Sequence, residues 1–344
     1  MRILFIANTH LNLYKDIESE LIRCGHEVVV IKDKLLRFDP FFSKARFRVI
    51  KKIIITISNP FSKYWKKIIN ADIRLSIPFD VLFVLSGTSV SEYIINYLES
   101  KNRNIKKVLY TWDSCSYYDF SRHMPYFDKC YTFDIKDASR NKHWKLLPIY
   151  YTMNKIDKNI EYDVFSVGSN HGGRLEFMHK IIPQLESKGV THYIKVVGQN
   201  SVPSFIQQLK LRLSRLLFAT FGYKLIDEKY SEQCDIYNVM TSDGLSSEEY
   251  NMYMSKARCV IDDQRDNQSG LTARFIWSLA NGKKIITTNS YAYMYSFVNA
   301  KQVVVVDHNN PIIPIEFIKA ELSDVDIPDI SQLKLSNWVK ELMS

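Results

Sequence analysis

The sequence predicts an α/β protein made of two Rossmann-like domains that face one another across a cleft, with a basic amphipathic helical insert in the first. Three observations carry that prediction. Short apolar, β-branched runs alternate with stretches of helical periodicity; the alternation stops in a polar segment and starts again; and 344 residues is chain enough for two medium domains.

The first unit opens with an apolar run at 3–7, followed by Asn8-Thr9-His10, a helical pattern over 11–22 that stops near Gly25, and a second β-branched run at 27–31. Strand, helix and strand in about 30 residues form a βαβ unit, and a right-handed crossover makes its strands parallel. Further runs at 81–85, 108–112 and 130–133 each lead into a small or acidic residue: Gly87-Thr88, Asp113-Ser114 and Asp134. In an open parallel sheet the residues just past the carboxyl ends of the strands line the ligand crevice. The stretch 154–161 carries neither a strand-like nor a helical apolar pattern and is read as the boundary. The domains are then 1–153, with an insert at 44–74, and 162–325; residues 326–344 form a terminal helix with the option of crossing back to the first domain. In the second domain the strands are expected at 163–168, 193–198, 259–262, 284–287 and 303–306. The helices are expected at 175–186, 248–256 and 269–280, the last closed by Gly282.

Composition narrows the class. Apolar residues make up 46% and charged residues 24%, with only 11 Gly and 10 Pro, which excludes disordered, collagenous and low-complexity chains. No apolar stretch reaches the ~18 uncharged residues that a spanning helix needs, and the start of the chain lacks a signal-like cleavage region, so a cytoplasmic protein is expected. The five cysteines are odd in number and lack a Cys-x-x-Cys pair, so they are expected to be reduced packing residues. Charge is asymmetric: residues 1–155 hold 26 Lys and Arg against 15 Asp and Glu, while 156–344 hold 20 against 22. An anionic partner is therefore expected at the first half.

The insert concentrates that charge. Between 44 and 74 there are nine Lys or Arg and one acid, Asp72. Phe47, Ile50, Ile54 and Ile57 recur at helical spacing, Ser58-Asn59-Pro60 breaks and restarts the pattern, and Phe61, Trp65, Ile68 and Ile69 repeat it. The expected structure is a helical hairpin on an anionic membrane surface, with Lys51, Lys52, Lys63, Lys66 and Lys67 meeting lipid headgroups and Trp65 dipping between them. The alternative is an insert packed on the first domain with a solvated basic face. A second, weaker candidate of the same kind lies at 204–224.

Two junctions in the second domain suggest phosphate chemistry. Gln268-Ser269-Gly270-Leu271-Thr272-Ala273-Arg274 follows the strand ending at Asp262-Asp263 and opens a helix. Ser269, Gly270 and Thr272 would place amides and hydroxyls at the positive end of a helix, with Arg274 one turn in. Gly168-Ser169-Asn170-His171-Gly172-Gly173-Arg174 closes the first strand of the same domain and is neither a Walker loop nor a GxGxxG fingerprint. Its glycines and Arg174 would meet the same phosphates from the other side. Each junction has a plainer reading, an ordinary capped helix and a flexible turn.

These segments, with Gly282-Lys283-Lys284-Ile285-Ile286-Thr287-Thr288-Asn289, Tyr110-Thr111-Trp112-Asp113-Ser114 and the 162–174 stretch, resemble a bacterial family of GT-B glycosyltransferases (group 1 and CgeB-like) found in lipopolysaccharide and capsule biosynthesis. The similarity runs through both halves in order and is strong over about 50 residues. It implies a nucleotide-sugar donor held by the second domain at Gly168, Ser169, His171, Arg174, Asp263, Gln268, Ser269, Gly270, Thr272 and Arg274. It also implies a glycan or lipid-linked glycan acceptor held by the first domain, and catalysis with no cofactor and no bound metal. One departure is visible: where such enzymes often carry a Glu that holds the donor ribose, this chain reads Phe275-Ile276-Trp277-Ser278. Either the ribose is held by backbone or Ser278, or the donor differs.

The metal-free expectation has an independent argument, because adjacent Asp262 and Asp263 on a strand point to opposite faces and do not easily grip one ion. A base for the acceptor hydroxyl must come from the first domain; Asp113 and His10, each just past a strand, are the candidates, with His123 and Asp134 weaker. Tyr117, Tyr118 and Phe120 are weighed as an acceptor platform. The sequence thus points to a peripheral enzyme on the inner face of the cytoplasmic membrane. Two other readings compete: a nucleotide-sugar epimerase of the same architecture, and a nucleic-acid-binding protein using the basic half, which lacks any recognisable nucleic-acid motif and is disfavoured.

Overall fold

A computed structural model describes residues 1–9, 12–33, 60–152, 159–198, 235–264 and 268–344. The first domain runs β1 (Arg2–Ala7), α1 (Tyr14–Arg23), β2 (Glu27–Lys32), α2 (Pro60–Ala71), β3 (Val81–Leu85), α3 (Glu92–Lys101), β4 (Lys106–Thr111), β5 (Lys129–Thr132), α4 (Ile135–Arg140) and β6 (Trp144–Leu146). The second runs β7 (Tyr162–Ser169), α5 (Arg174–Glu186), β8 (His192–Val197), β9 (Met240–Thr241), α6 (Ser247–Ser255), β10 (Ala257–Asp262), α7 (Ala273–Ala280), β11 (Lys284–Thr287), β12 (Val303–Val305) and α8 (Ile315–Lys319), before a terminal α9 (Leu335–Met343).

Each domain holds one six-stranded sheet, in the orders β2-β1-β3-β4-β5-β6 and β12-β11-β10-β7-β8-β9. Every pairing is parallel. The central strands are buried on both faces, which is why Val81–Leu85 reads as an unbroken apolar run. The predicted strands are all present, shifted at most two residues at an end. The short strands β6 and β9 lie at sheet edges, have little periodicity to display, and carry no sequence signal. In each sheet the order reverses once, between β1 and β3 and between β7 and β10, and these switch points open the crevices where open α/β sheets take ligands.

The terminal helix does cross back. Trp338 of α9 packs against Tyr110 (ring centroids 4.7 Å apart) and Tyr150 (5.3 Å), and its indole donates to the Pro148 carbonyl at 3.1 Å. Tyr151 and Lys334 form a parallel bridge beside it. One buried apolar cluster joins the domains: Tyr110, Tyr131 and Phe133 of the first share it with Leu271, Phe275 and Ile276 of the second.

Two expectations need revision. The 269–280 helix begins only at Ala273, capped by the Thr272 hydroxyl, which accepts from the Phe275 amide at 3.1 Å. Ser269 and Gly270 precede it as loop. In the insert, α2 covers Pro60–Ala71, but Trp65 is not a membrane anchor: it is fully buried with Leu75, Phe79 and Ile94, and its indole donates to Ser89 at 2.8 Å. An indole so placed gains more from the core than from the headgroup boundary. Lys63, Lys66 and Lys67 stay exposed on the opposite face. Residues 44–59, including Lys51 and Lys52, and the 204–224 stretch lie outside the described residues.

Candidate functional site

The second switch point is where several of the residues expected to hold a donor gather. β7 ends at Gly168-Ser169 and β10 at Asp262, with Asp263 just beyond, and the two strands lie side by side. Over this junction the two arginines converge from different helices. Arg174, at the start of α5, donates to the carbonyls of Asp263 (2.7 Å) and Ser169 and sets its Nε 3.6 Å from the Asp263 carboxylate. Arg274, in the first turn of α7, donates to the Asp262 carboxylate (3.0 Å) and to the same Asp263 carbonyl (3.1 Å). Their side chains are 7% and 19% exposed, so neither guanidinium is turned out into solvent.

Gly168 makes that convergence possible. A Cβ there would lie inside contact distance of Nη1 of both arginines, 2.7 Å from that of Arg174. The adjacent aspartates take separate partners, as alternation along a strand dictates. Asp262 accepts from Arg274 and from the Thr272 hydroxyl (2.8 Å), whereas Asp263 accepts from the Thr288 hydroxyl (3.3 Å) and from His308 Nδ1 (2.8 Å). His308 escaped the sequence reading. The signal that would have found it is its position just past a strand, the criterion applied to Asp113.

The Ser-Gly loop does not present its amides to a ligand. Asp134, just past β5 of the first domain, is 1% exposed and accepts from the amides of Ser269 (2.8 Å) and Gly270 (3.2 Å) and from the Ser269 hydroxyl. The same carboxylate caps α4 through the amides of Lys136 (3.0 Å) and Asp137 (3.2 Å). A Cβ on Gly270 would overlap the Phe133 ring, so the glycine admits a neighbouring side chain rather than a phosphate. Ser269 and Gly270 are thus corrected from ligand contacts to an anion-binding turn already filled by the protein's own carboxylate. Thr272 is spent on its helix and on Asp262. Ser278, suggested for the ribose, is fully buried and donates to the Arg274 carbonyl at 2.6 Å.

Of the candidate bases, Asp113 is half-buried and meets the 268–270 loop of the second domain: Gln268 Nε2 lies 3.5 Å from its Oδ1. His10 lies outside the described residues. Asp134 is enclosed by the five donors above. His123 is excluded by burial, which pushes its imidazole down to about 3, aided by neighbouring Arg122. The aromatic platform does not assemble as drawn, since Phe120 is core and only Tyr117 is well exposed. Residues that do meet at the crevice are Gly168, Ser169, Gly173, Arg174, Asp263 and Arg274, with His171 exposed on the glycine loop and Gln268 on the facing one.

Burial pushes Cys115, Cys130 and Cys259 up to about 12, which leaves them protonated at neutral pH. Among the described residues no helix is long and apolar enough to cross a membrane.

No family model and no curated protein matches the chain. Among solved structures it is similar to sucrose-phosphate synthase from Thermosynechococcus elongatus, with a TM-score of 0.52 and 11% identity over 99% of this chain and 94% of that one. Weaker likenesses are to MurG of Acinetobacter baumannii (TM-score 0.40, 12% identity, 99% and 94% covered) and to a Listeria monocytogenes protein assigned as a UDP-N-acetylglucosamine 2-epimerase (0.44, 9%, 90% and 85%). At such identities the first of these speaks to architecture alone: two parallel six-stranded sheets in the two-domain, Rossmann-like GT-B arrangement.

Proposed function

We propose that the protein is a glycosyltransferase that moves a sugar from a nucleotide-sugar donor to a lipid-linked bacterial cell-surface glycan acceptor, without a divalent metal. The observation that carries this reading is the convergence of Arg174 and Arg274 over Gly168 at the switch point of the second sheet. A leaving diphosphate needs donors already in place where its charge develops, and two guanidinium groups fixed by carboxylates and carbonyls require little reorganisation. The likeness in fold to a sucrose-phosphate synthase supports the same reading. In this mechanism Arg174 and Arg274 orient and stabilise the diphosphate, and Asp113, across from Gln268, takes the acceptor proton.

The acceptor side rests on the basic insert. Lys63, Lys66 and Lys67 share an exposed face of α2, and Ile73 (83% exposed) and Ile77 (52%) follow it, a pairing of cationic and apolar side chains suited to an anionic membrane surface. That pairing supports a peripheral position, read here as the inner face of the cytoplasmic membrane.

The test has two arms. Thermal shift against nucleoside diphosphate sugars should raise apparent stability by about 2.7 kcal/mol at 100 times the dissociation constant. Arg274→Gln and Arg174→Lys should each cost about 2–4 kcal/mol in transition-state stabilisation while the protein stays folded. Silence toward every nucleotide sugar, or full turnover in both variants, removes the proposal. For the membrane, reversing Lys63, Lys66 and Lys67 to Glu should abolish sedimentation with anionic vesicles; unchanged sedimentation would refute that part alone.

A further inference from the structure

Among the described residues over the β7–β10 junction, the two arginines are matched by two aspartates. Arg174 and Arg274 stand against Asp262 and Asp263, and both guanidinium groups already have carboxylate partners. A diphosphate arriving there brings negative charge that this balanced set does not neutralise, and charge taken out of water without a counter-charge is costly.

His308 is placed to change the balance. It follows β12, on the strand edge of the same crevice. Its Nδ1 lies 2.8 Å from Asp263 Oδ1, and its ring stacks on Phe177 of α5 with centroids 5.4 Å apart and planes 11° apart. The Nε2 edge faces Gly173, the left-handed residue (φ 83°) that caps α5; a Cβ on Gly173 would sit 3.4 Å from Nε2. The imidazole edge therefore lies close against the amino end of a 13-residue helix. The side chain is 18% exposed, so a proton can reach it from solvent.

We propose that His308 is a donor-binding residue that takes up a proton when a diphosphate settles at the amino end of α5, supplying the positive charge that the two matched arginines do not. The inference rests on the donor reading above. In the imidazolium both ring nitrogens donate, Nδ1 to Asp263 and Nε2 to the anion. The groups facing His308 make its charge responsive to ligand. Asp263, from the end of β10, and Asp262 behind it favour the cation. Arg174 and the positive end of α5 oppose it, as does Arg274 on α7, while Lys180 on α5, whose Nζ bonds the Asn309 carbonyl at 3.0 Å, is offset by its pairing with Glu176 of the same helix. Asp307 flanks it in the chain, and Thr288 contributes only a neutral hydroxyl to Asp263. An anion beside Gly173 tips this opposition toward protonation.

The experiment is calorimetric titration of the full chain with UDP-glucose, GDP-mannose and ADP-glucose across pH 5.5–8.5, a range of about three units in which diester phosphates, lacking the second ionisation near 6, do not titrate. Wild type, His308→Gln and His171→Gln are compared, the last because His171, on the glycine loop, is a second imidazole near the crevice, and only its pH slope is read because its loss is expected to weaken binding at every pH. Wild type should bind more tightly as pH falls, by up to about tenfold per pH unit, with proton uptake visible as buffer-dependent heat, and His171→Gln should keep that slope at a lower affinity. His308→Gln, whose amide still reaches Asp263, should bind with a flat pH profile and no uptake. A wild-type slope in His308→Gln, or its loss in His171→Gln, overturns the inference while leaving the donor reading intact. Absence of binding by wild type at every pH removes both.

Discussion

Removing the Asp134 carboxylate should loosen the joint between the domains, and the structure sets the size of the effect. Asp134 is buried and accepts five hydrogen bonds, two from the amides that open α4 and three from Ser269 and Gly270 of the other domain. Losing the helix cap costs about 1 kcal/mol. The three donors from the second domain would be left buried without an acceptor, a loss bounded at roughly 3–5 kcal/mol, as when one partner of a buried charged pair is removed. Asp134→Ala should therefore destabilise by about 4–6 kcal/mol, and Asp134→Asn, which keeps one acceptor oxygen, by about half of that. Urea titration gives the total, and hydrogen exchange at the Ser269 and Gly270 amides reports whether the joint itself opens. Asp33 provides the control. Its carboxylate holds the Thr88 amide (2.7 Å) and the Ser89 amide (2.8 Å) within the first domain, so Asp33→Ala should lower stability without exposing the 269–270 amides. A cost under about 1 kcal/mol for Asp134→Ala, or unchanged exchange at Ser269 and Gly270, would refute the assignment of Asp134 as the clasp.

Other perturbations have readable outcomes. Gly168→Ala should destabilise by about 1–3 kcal/mol through overpacking and erase the thermal response to nucleotide sugars, because the new methyl displaces both guanidinium groups; a wild-type response in this variant would mean that the arginines do not hold the ligand. His123 is held near pKa 3 against about 6.5 unfolded, so the native state binds fewer protons below neutrality. Its contribution is intact above about pH 6.5 and drains away as pH falls toward 3, reaching roughly 2 kcal/mol of loss at pH 5. His123→Gln should flatten that part of the stability profile, measured by urea melts at each pH. Trp65→Ala should cost about 3–5 kcal/mol of stability, whereas an indole working only at a membrane surface would cost almost none.

The two parallel sheets were legible in the sequence because a strand buried on both faces tends to be apolar throughout, and Val81–Leu85 can scarcely be anything else between polar and glycine punctuation. The same logic located the strand ends, and with them Gly168, Asp263, Asp113 and the two arginines. Local pattern misjudged residues whose partner is distant in the chain. Trp65 lies on an amphipathic helix, and periodicity reports that one face is apolar without saying whether lipid or protein covers it; Ser89, Leu75 and Phe79 decide the matter.

The Ser269-Gly270 turn was recognised from sequence as a place where exposed amides would seek an anion, and that chemistry is present. Which anion fills it was beyond any local reading, since Asp134 stands 135 residues away and its carboxylate reaches Ser269 only because both sheets are docked. His308 is the converse case: no motif surrounds it, and only the side-by-side packing of β7, β10, β11 and β12 brings it against Asp263 and Gly173. Burial and periodicity act along the chain and so are written in the sequence; pairing of charges acts through space, and only the tertiary structure could assign the partners.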